Sequence, residues 1–198
     1  MLYLLAYLLG SVPVGFLVAK ARGVDIRQAG SGNIGATNVG RVLGKGPAAL
    51  VFVLDVLKGV LPPLAARLLI KDGEWGLSTR DHSVLVGLCA ILGHTASPFL
   101  KFKGGKGIAT GLGVLATATP GVALFALGSF ILVFAVSQIV SAASIAAVIG
   151  MVTGALVLKE SKLCLAVYTL LAAYVVLKHK ANLGRLFKGE EPKFQFKK

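Results

Sequence analysis

Charge is scarce in this chain, and acid most of all. Of 198 residues 15% are charged, and 8 are acidic against 21 basic. A soluble domain carries about 25% charged residues, so a single soluble globular domain is excluded, and a charge-laced coiled coil with it. At 56% hydrophobic residues the chain is also far from the composition of disorder. It has two cysteines, Cys89 and Cys164, each inside an apolar run. They cannot build a disulfide framework and read as small core residues. Histidine is nearly absent too. None of His82, His94 and His179 has cysteine or carboxylate neighbours at ligand spacing, so no metal site and no cofactor are expected.

What is abundant is apolar length. Runs at 2–19, 47–70, 82–100, 107–158 and 163–177 are separated by charge, and the fourth holds 52 positions without one. A membrane-spanning helix needs about 20 residues, with a range of about 17–25. The chain therefore reads as all-α, a polytopic membrane bundle in one domain, 1–198. The basic residues set its orientation. Segments 20–45, 101–106 and 178–198 carry 15 Lys and Arg against 3 acids, whereas 67–81 and 159–162 carry 5 against 4. Positive loops stay in the cytoplasm. For 101–106 and 178–198 to share a side, the long run must cross an odd number of times. Three crossings give seven transmembrane helices, N-terminus outside and C-terminus cytoplasmic; a five-helix version is the runner-up. Breaks are expected near Pro120 and between Ser137 and Ser144. The N-terminus has no basic region before its apolar run, so this run is expected to be a retained span and not a cleaved signal.

The basic face collects the polar motifs. The first is the stretch 30–41, with Ser31, Gly32, Asn33, Thr37, Asn38 and Arg41. Glycine lets backbone N–H groups approach an anion, hydroxyls and amides add donors, and arginine offers a bidentate fork for phosphate. The second is Lys103, Gly104, Gly105, Lys106 and Gly107 at the start of a helix, where free N–H groups and the dipole favour anions. It is not a Walker A loop, because its spacing is wrong. The third is His179 and Asn182, which share a helix face at i, i+3. Ser141, in the turn near 137–144, is a candidate contact from the same side. Asp55 and Lys58 are expected to pair, since lone charges in a bilayer are costly. Glu190 or Glu191 is expected to form an ion pair.

These three motifs, in this order, resemble those of the bacterial acyl-phosphate-dependent glycerol-3-phosphate acyltransferases, a membrane-integral family. Asp55–Lys58 and His94 with Pro98 also fit its pattern, and the resemblance runs along essentially the whole chain. It implies transfer of a fatty acyl group from acyl-phosphate to the sn-1 hydroxyl of glycerol 3-phosphate. The products would be lysophosphatidic acid and phosphate, in the first committed step of bacterial phospholipid synthesis at the inner membrane. It further implies that Ser31, Arg41, His179 and Asn182 serve activity, that 104–107 bind glycerol 3-phosphate, and that the third-motif acid serves integrity. The HxxxxD pair of the acyl-CoA-dependent glycerolipid enzymes is missing.

The residues agree with this expectation. Two phosphate-bearing substrates suit three basic loops on one face, with Lys106 and Arg41 as their charges and no nucleic acid involved. An acyl chain suits a bundle open to the bilayer. No obligate protein partner is evident. Acyl-phosphate has a good leaving group, so positioning and charge neutralisation are enough for direct transfer without an acyl-enzyme. A substrate phosphate is the favoured proton acceptor, and His179 the alternative. A transporter for an organic phosphate would share the basic loops, but it needs polar residues through the bilayer, and these are concentrated on one side. The charge asymmetry carries a first test. Single cysteines placed at positions 28, 103 and 193 stay unlabelled by an impermeant reagent outside intact cells; strong external labelling at any of them overturns the orientation.

Overall fold

The structure, a computed structural model, describes residues 1–196. Ten α-helices account for most of them, and no strand occurs among the described residues. This follows from the composition. In hydrocarbon each backbone polar group must find its partner within the segment, and a helix does that for any apolar sequence. Five spans are long and apolar enough to cross a membrane: Leu2–Lys20, Lys45–Leu69, Thr79–Leu100, Pro120–Ser137 and Val140–Val157. A sixth is the pair Lys162–Lys178 and Lys180–Phe187, bent by 63°.

The first span is broken. Helix α1 (Leu2–Ser11) and α2 (Val14–Lys20) flank Pro13, which the apolar pattern had run together as one segment. Proline has no N–H to continue the ladder, which is the physical reason for the break. Helix α3 (Ala36–Leu43) is short and amphipathic, and α4 (Lys45–Leu69) is the longest at 25 residues. Helix α5 (Thr79–Thr95) ends earlier than its apolar run, because Pro98 starts a separate 3-10 turn. The uncharged stretch resolves into α6 (Ile108–Ala118), α7 (Pro120–Ser137) and α8 (Val140–Val157), with breaks where Pro120 and Ser137 stand. Helix α9 (Lys162–Lys178) ends at His179, and α10 (Lys180–Phe187) turns away with its charged residues.

Packing between helices relies on missing side chains. A Cβ on Gly59 of α4 would lie 2.1 Å from the Thr110 carbonyl oxygen of α6, and one on Gly113 of α6 would lie 2.2 Å from the Val56 carbonyl oxygen of α4. Helices α1 and α5 meet in the same reciprocal way, Gly10 on Ala90 and Gly93 on Tyr7. Lipid-solvated helices gain no hydrophobic drive from pairing, so such close van der Waals contact is what holds them. The largest apolar cluster joins α5 to α9 around Tyr168, Val114 and Val122.

Polar contacts gather at the two ends of the bundle. At one end Tyr3 and His82 are 2.7 Å apart, Arg80 pairs with Glu160 at 3.1 Å, and Asp81 accepts hydrogen bonds from Ser78 and Ser161. His82 Nε2 lies 2.8 Å from the Glu74 carbonyl and so donates to it, which leaves Nδ1 to accept from Tyr3. The opposite end holds the three basic loops. Lys58 lies between the two ends. It donates to the Val12 carbonyl at the α1–α2 break (3.0 Å) and is paired with Asp55 at 2.8 Å, as the i, i+3 spacing implied.

The close crossing can be tested directly. Gly59→Ala forces α4 from α6; overpacking of this kind costs about 1–3 kcal/mol. It lowers Tm in detergent by several degrees, whereas Gly128→Ala, with nothing near its Cβ position, leaves Tm unchanged.

Candidate active site

The loop from 21 to 35 is organised by one side chain. Asn38, buried at the start of α3, donates to the carbonyls of Ala29 (3.0 Å) and Asn33 (2.8 Å) and accepts from the Ser31 N–H (2.8 Å). Its amide is thus used inside the loop, and what it offers the site is the loop's shape. Asn33 accepts from the Gly35 N–H at 2.8 Å, a local turn that leads into α3. This brings Ser31, Asn33, Thr37 and Arg41 to one wall of a cavity of about 180 Å³. Gly32 adopts φ +71° behind that wall and does not line it.

The lysine-glycine loop forms the second wall. Gly104 N–H donates to the Thr95 carbonyl (3.2 Å) and Gly105 N–H to the His94 carbonyl (3.0 Å), so the loop runs back along the last turn of α5. A Cβ on Gly104 would lie 2.0 Å from the His94 carbonyl oxygen. The two glycines therefore dock the loop and do not themselves line the cavity. Gly107, at φ +82°, starts α6 and lines it with Lys106. Lys103 is exposed and lies outside the cavity.

The third wall centres on a carboxylate. Lys106 donates to the Asn182 amide oxygen, and Asn182 donates through its amide nitrogen to Glu191. Glu191 also accepts from Ser141 at 2.7 Å and from Arg185 at 2.7 Å. Glu191 is the ion-paired acid of the third motif, while Glu190 makes only a backbone contact, to Arg185, among the described residues. The buried His179 has Nδ1 2.8 Å from the Val175 carbonyl. That nitrogen must donate, so Nε2 keeps its lone pair on the cavity side. The Arg41 guanidinium donates to the Pro192 carbonyl at 3.5 Å, its only side-chain hydrogen bond among the described residues.

Charge is unevenly matched here. Burial pushes the Lys106 ammonium down to about 8; Glu191 opposes this, and the positive Arg185 and Arg41 add to it. Burial likewise lowers Arg41. Burial pushes the Glu191 carboxyl up, but hydrogen bonds from Asn182, Ser141 and Arg185 more than reverse that. The carboxylate is committed to its neighbours, and two cations face the cavity. No group of metal-ligating side chains occurs among the described residues. The rest of the lining is apolar: Phe52 of α4, Phe130 of α7, Ile108, Ala109 and Val140. A phosphate with an apolar tail fits this mixture of walls.

Over residues 1–189 the chain matches the family model of glycerol-3-phosphate acyltransferase. The chain belongs to the glycerol-3-phosphate acyltransferase family. Its relatives include glycerol-3-phosphate acyltransferases of Synechococcus elongatus, 45% identical over 194 residues (96% of this chain, 91% of the relative), and of Aquifex aeolicus, 42% identical over 193 residues (98% and 97%). Among solved structures, it is similar to PlsY (YgiH), an integral membrane glycerol 3-phosphate acyltransferase, in its glycerol 3-phosphate form. There the TM-score is 0.90 and identity 40%, covering 98% of this chain and 94% of the other. With its apolar spans, this family member is a multi-pass membrane protein.

Of the residues singled out in the sequence, Ser31, Asn33, Thr37, Asn38, Arg41, Lys106, Gly107, Ser141, His179 and Asn182 line one cavity. Gly32, Lys103, Gly104 and Gly105 stand behind or outside it. The sequence assigned Asp55 only to a pair with Lys58, Glu190 or Glu191 only to an ion pair and His94 no role at the site, and it passed over Ser144, Phe52 and Phe130 as lining; of these, Asp55, His94, Glu191, Ser144, Phe52 and Phe130 line the cavity. The proline after Glu191 and its i, i+9 distance from Asn182 gave no periodic signal. Lys106 gives this site a pH test with two opposite signs. With Lys106 lowered from 10.5 to about 8, the unfolded chain holds this proton more than the folded one across that window, so stability of the empty protein rises with pH there. Affinity for inorganic phosphate falls through the same window, because the charge is lost. Calorimetric titrations at pH 7, 8 and 9 and melting curves at the same values check both signs.

Proposed function

We propose that this family member transfers a fatty acyl group from acyl-phosphate to the 1-hydroxyl of glycerol 3-phosphate. The hydroxyl oxygen attacks the acyl carbonyl carbon, the bond from that carbon to the phosphate oxygen breaks, and phosphate leaves with the electron pair. Lysophosphatidic acid and inorganic phosphate are the products. The observation that carries the reading is the cavity itself. Arg41 and Lys106 face it with no direct ion pair among the described residues, next to a wall of Phe52, Phe130 and Ile108. Charge-assisted contacts are among the stronger ones available to a protein for holding phosphate.

Transfer is direct, with no acyl-enzyme. Among the described residues no histidine or carboxylate is hydrogen-bonded to the Ser31 hydroxyl, so Ser31 lacks the base that an activated nucleophile needs. Ser31 and Thr37 are donors to phosphate, with Arg41 and Lys106 as its counter-charges. A phosphate oxygen takes the proton, since a monoester has a second pKa near about 6. His179, with Nδ1 tied to Val175, accepts a hydrogen bond from the glycerol hydroxyl and orients it. Asn182 holds Lys106 in place.

The chain crosses the bacterial inner membrane seven times, with the N-terminus outside and the site on the cytoplasmic side. Helix α6, at 11 residues, is about 16 Å long and too short alone. The lysine-glycine loop docks on the last turn of α5 through Gly104 and Gly105, which supports counting α6, with that loop at its cytoplasmic end, as one crossing. The acyl chain enters between Phe52 and Phe130, from the bilayer.

Purified protein given glycerol 3-phosphate forms lysophosphatidic acid with acyl-phosphate and not with acyl-CoA; the reverse result ends the reading. Loss of a charged contact worth about 1.5–3 kcal/mol lowers kcat/KM about 10–100-fold in Arg41→Ala and Lys106→Ala. His179→Gln is impaired yet keeps a pH-dependent rate. Activity at background with glycerol 3-phosphate still bound would make His179 the base.

A further inference from the structure

One buried group of charges adjoins the cavity and takes no part in the proposed chemistry. It is Asp55 and Lys58 of α4 with His94 of α5, at 2%, 4% and 5% exposure. Lys58 is accounted for by the Val12 carbonyl at the α1–α2 break. His94 is not. Its Nδ1 lies 3.6 Å from Asp55 Oδ1, an oxygen already paired with Lys58 at 2.8 Å, and Nδ1 has no well-formed hydrogen bond although it is fully buried. A carboxylate at that distance orients a ring without tying it to a neighbour.

The other edge of the ring meets the lysine-glycine loop. A Cβ on Gly105 would lie 2.2 Å from His94 Nε2, and 3.0 and 3.1 Å from the two flanking ring carbons. The near-equal longer distances put that point in front of the nitrogen, close to the ring plane. The loop therefore touches His94 twice, since the Gly105 N–H also donates to the His94 carbonyl at 3.0 Å. Gly105 has no positive φ, so its backbone does not demand glycine. The ring does. One residue further on is Lys106.

We propose that His94, oriented by Asp55, is a positioning residue for phosphate binding: its ring is the seat on which Gly105 rests, and this fixes the Lys106 ammonium at the cavity. The proposal rests on the reading of Lys106 as a phosphate ligand given above. Displacing a charged group by about 1 Å costs up to about a hundredfold in an oriented site. Lys106 is the sensor of any such shift. The groups that act on it are Arg41 of α3, Asn182 and Arg185 of α10, His179 at the α9–α10 break and Glu191 of the tail. His94 itself faces Asp55 and Lys58 of α4 and Lys178 of α9.

The test is a double-mutant cycle on the full-length chain in detergent, with His94→Ala, Gly105→Ala and the two combined. Three quantities are read: KM and kcat for glycerol 3-phosphate, affinity for inorganic phosphate, and the pH midpoint of Lys106 modification by an amine-reactive reagent, mapped by mass spectrometry. Each single variant raises KM at least about tenfold with a smaller change in kcat, and weakens inorganic phosphate in parallel. The Lys106 midpoint moves up from about 8 toward an ordinary lysine as the loop loosens into water. The combined variant is no worse than His94→Ala alone, because the added methyl then meets no ring. A folded His94→Ala with unchanged KM and unchanged midpoint overturns the proposal, and so do losses that multiply in the combined variant. Where His94→Ala does not fold, His94→Gln and Asp55→Asn are judged by the same criteria. If the wild-type chain fails to acylate glycerol 3-phosphate, the functional reading falls. The phosphate affinities and Lys106 midpoints then still decide the seat, because neither uses the reaction.

Discussion

A lysine ammonium held half out of water beside two arginines is the constraint from which the rest of the site follows. Such a charge is tolerable only with compensating oxygen atoms and a nearby carboxylate. Lys106 receives both through one relay, Asn182 and then Glu191, and Glu191 is in turn held by Ser141 and Arg185. That relay ties the start of α6 to α8, α10 and the tail. It explains why residues far apart in sequence stand together, and why the carboxylate of the third motif is structural: its lone pairs are already used.

The glycines divide into two kinds of work. Those between helices, such as Gly59 and Gly113, let backbones touch where hydrocarbon offers no other drive to associate. Those in the lysine-glycine loop let the chain lie against the end of α5. There the constraint is local: Gly104 faces a carbonyl and Gly105 faces an imidazole. The loop that looked like a nest of amides around an anion is, for these two residues, a docking surface. Its cavity-facing part begins at Lys106.

The two ends of the bundle also differ in chemistry. The end with Tyr3, His82, Asp81 and Ser161 satisfies its polar groups internally, each donor matched to an acceptor. The opposite end leaves Arg41 nearly unmatched and keeps a cavity. Relatives named for the acylation of glycerol 3-phosphate need such an imbalance at one end only. Saturated hydrogen bonding stabilises a fold, whereas binding an anion needs donors held open.

Apolar run length, the shortage of acid and the placement of basic residues were sufficient to read an all-helical membrane bundle and to gather the three motifs on one face. These are properties of composition and period, which act locally and survive without knowledge of neighbours. The pairing of Asp55 with Lys58 was legible for the same reason, being a turn apart on one helix, whereas His179 stands at the α9–α10 break and Asn182 in the first turn of α10, so their common cavity is not a shared face of one helix. What lay beyond reach was every relation that crosses between segments. Pro13 broke a span that hydropathy joined, because hydropathy is blind to a missing N–H. Asn38 turned inward to hold its loop, while Gly105 met His94, and Glu191 reached back to Ser141. Each of these depends on distances between residues far apart in the chain, and only the packed bundle sets such distances.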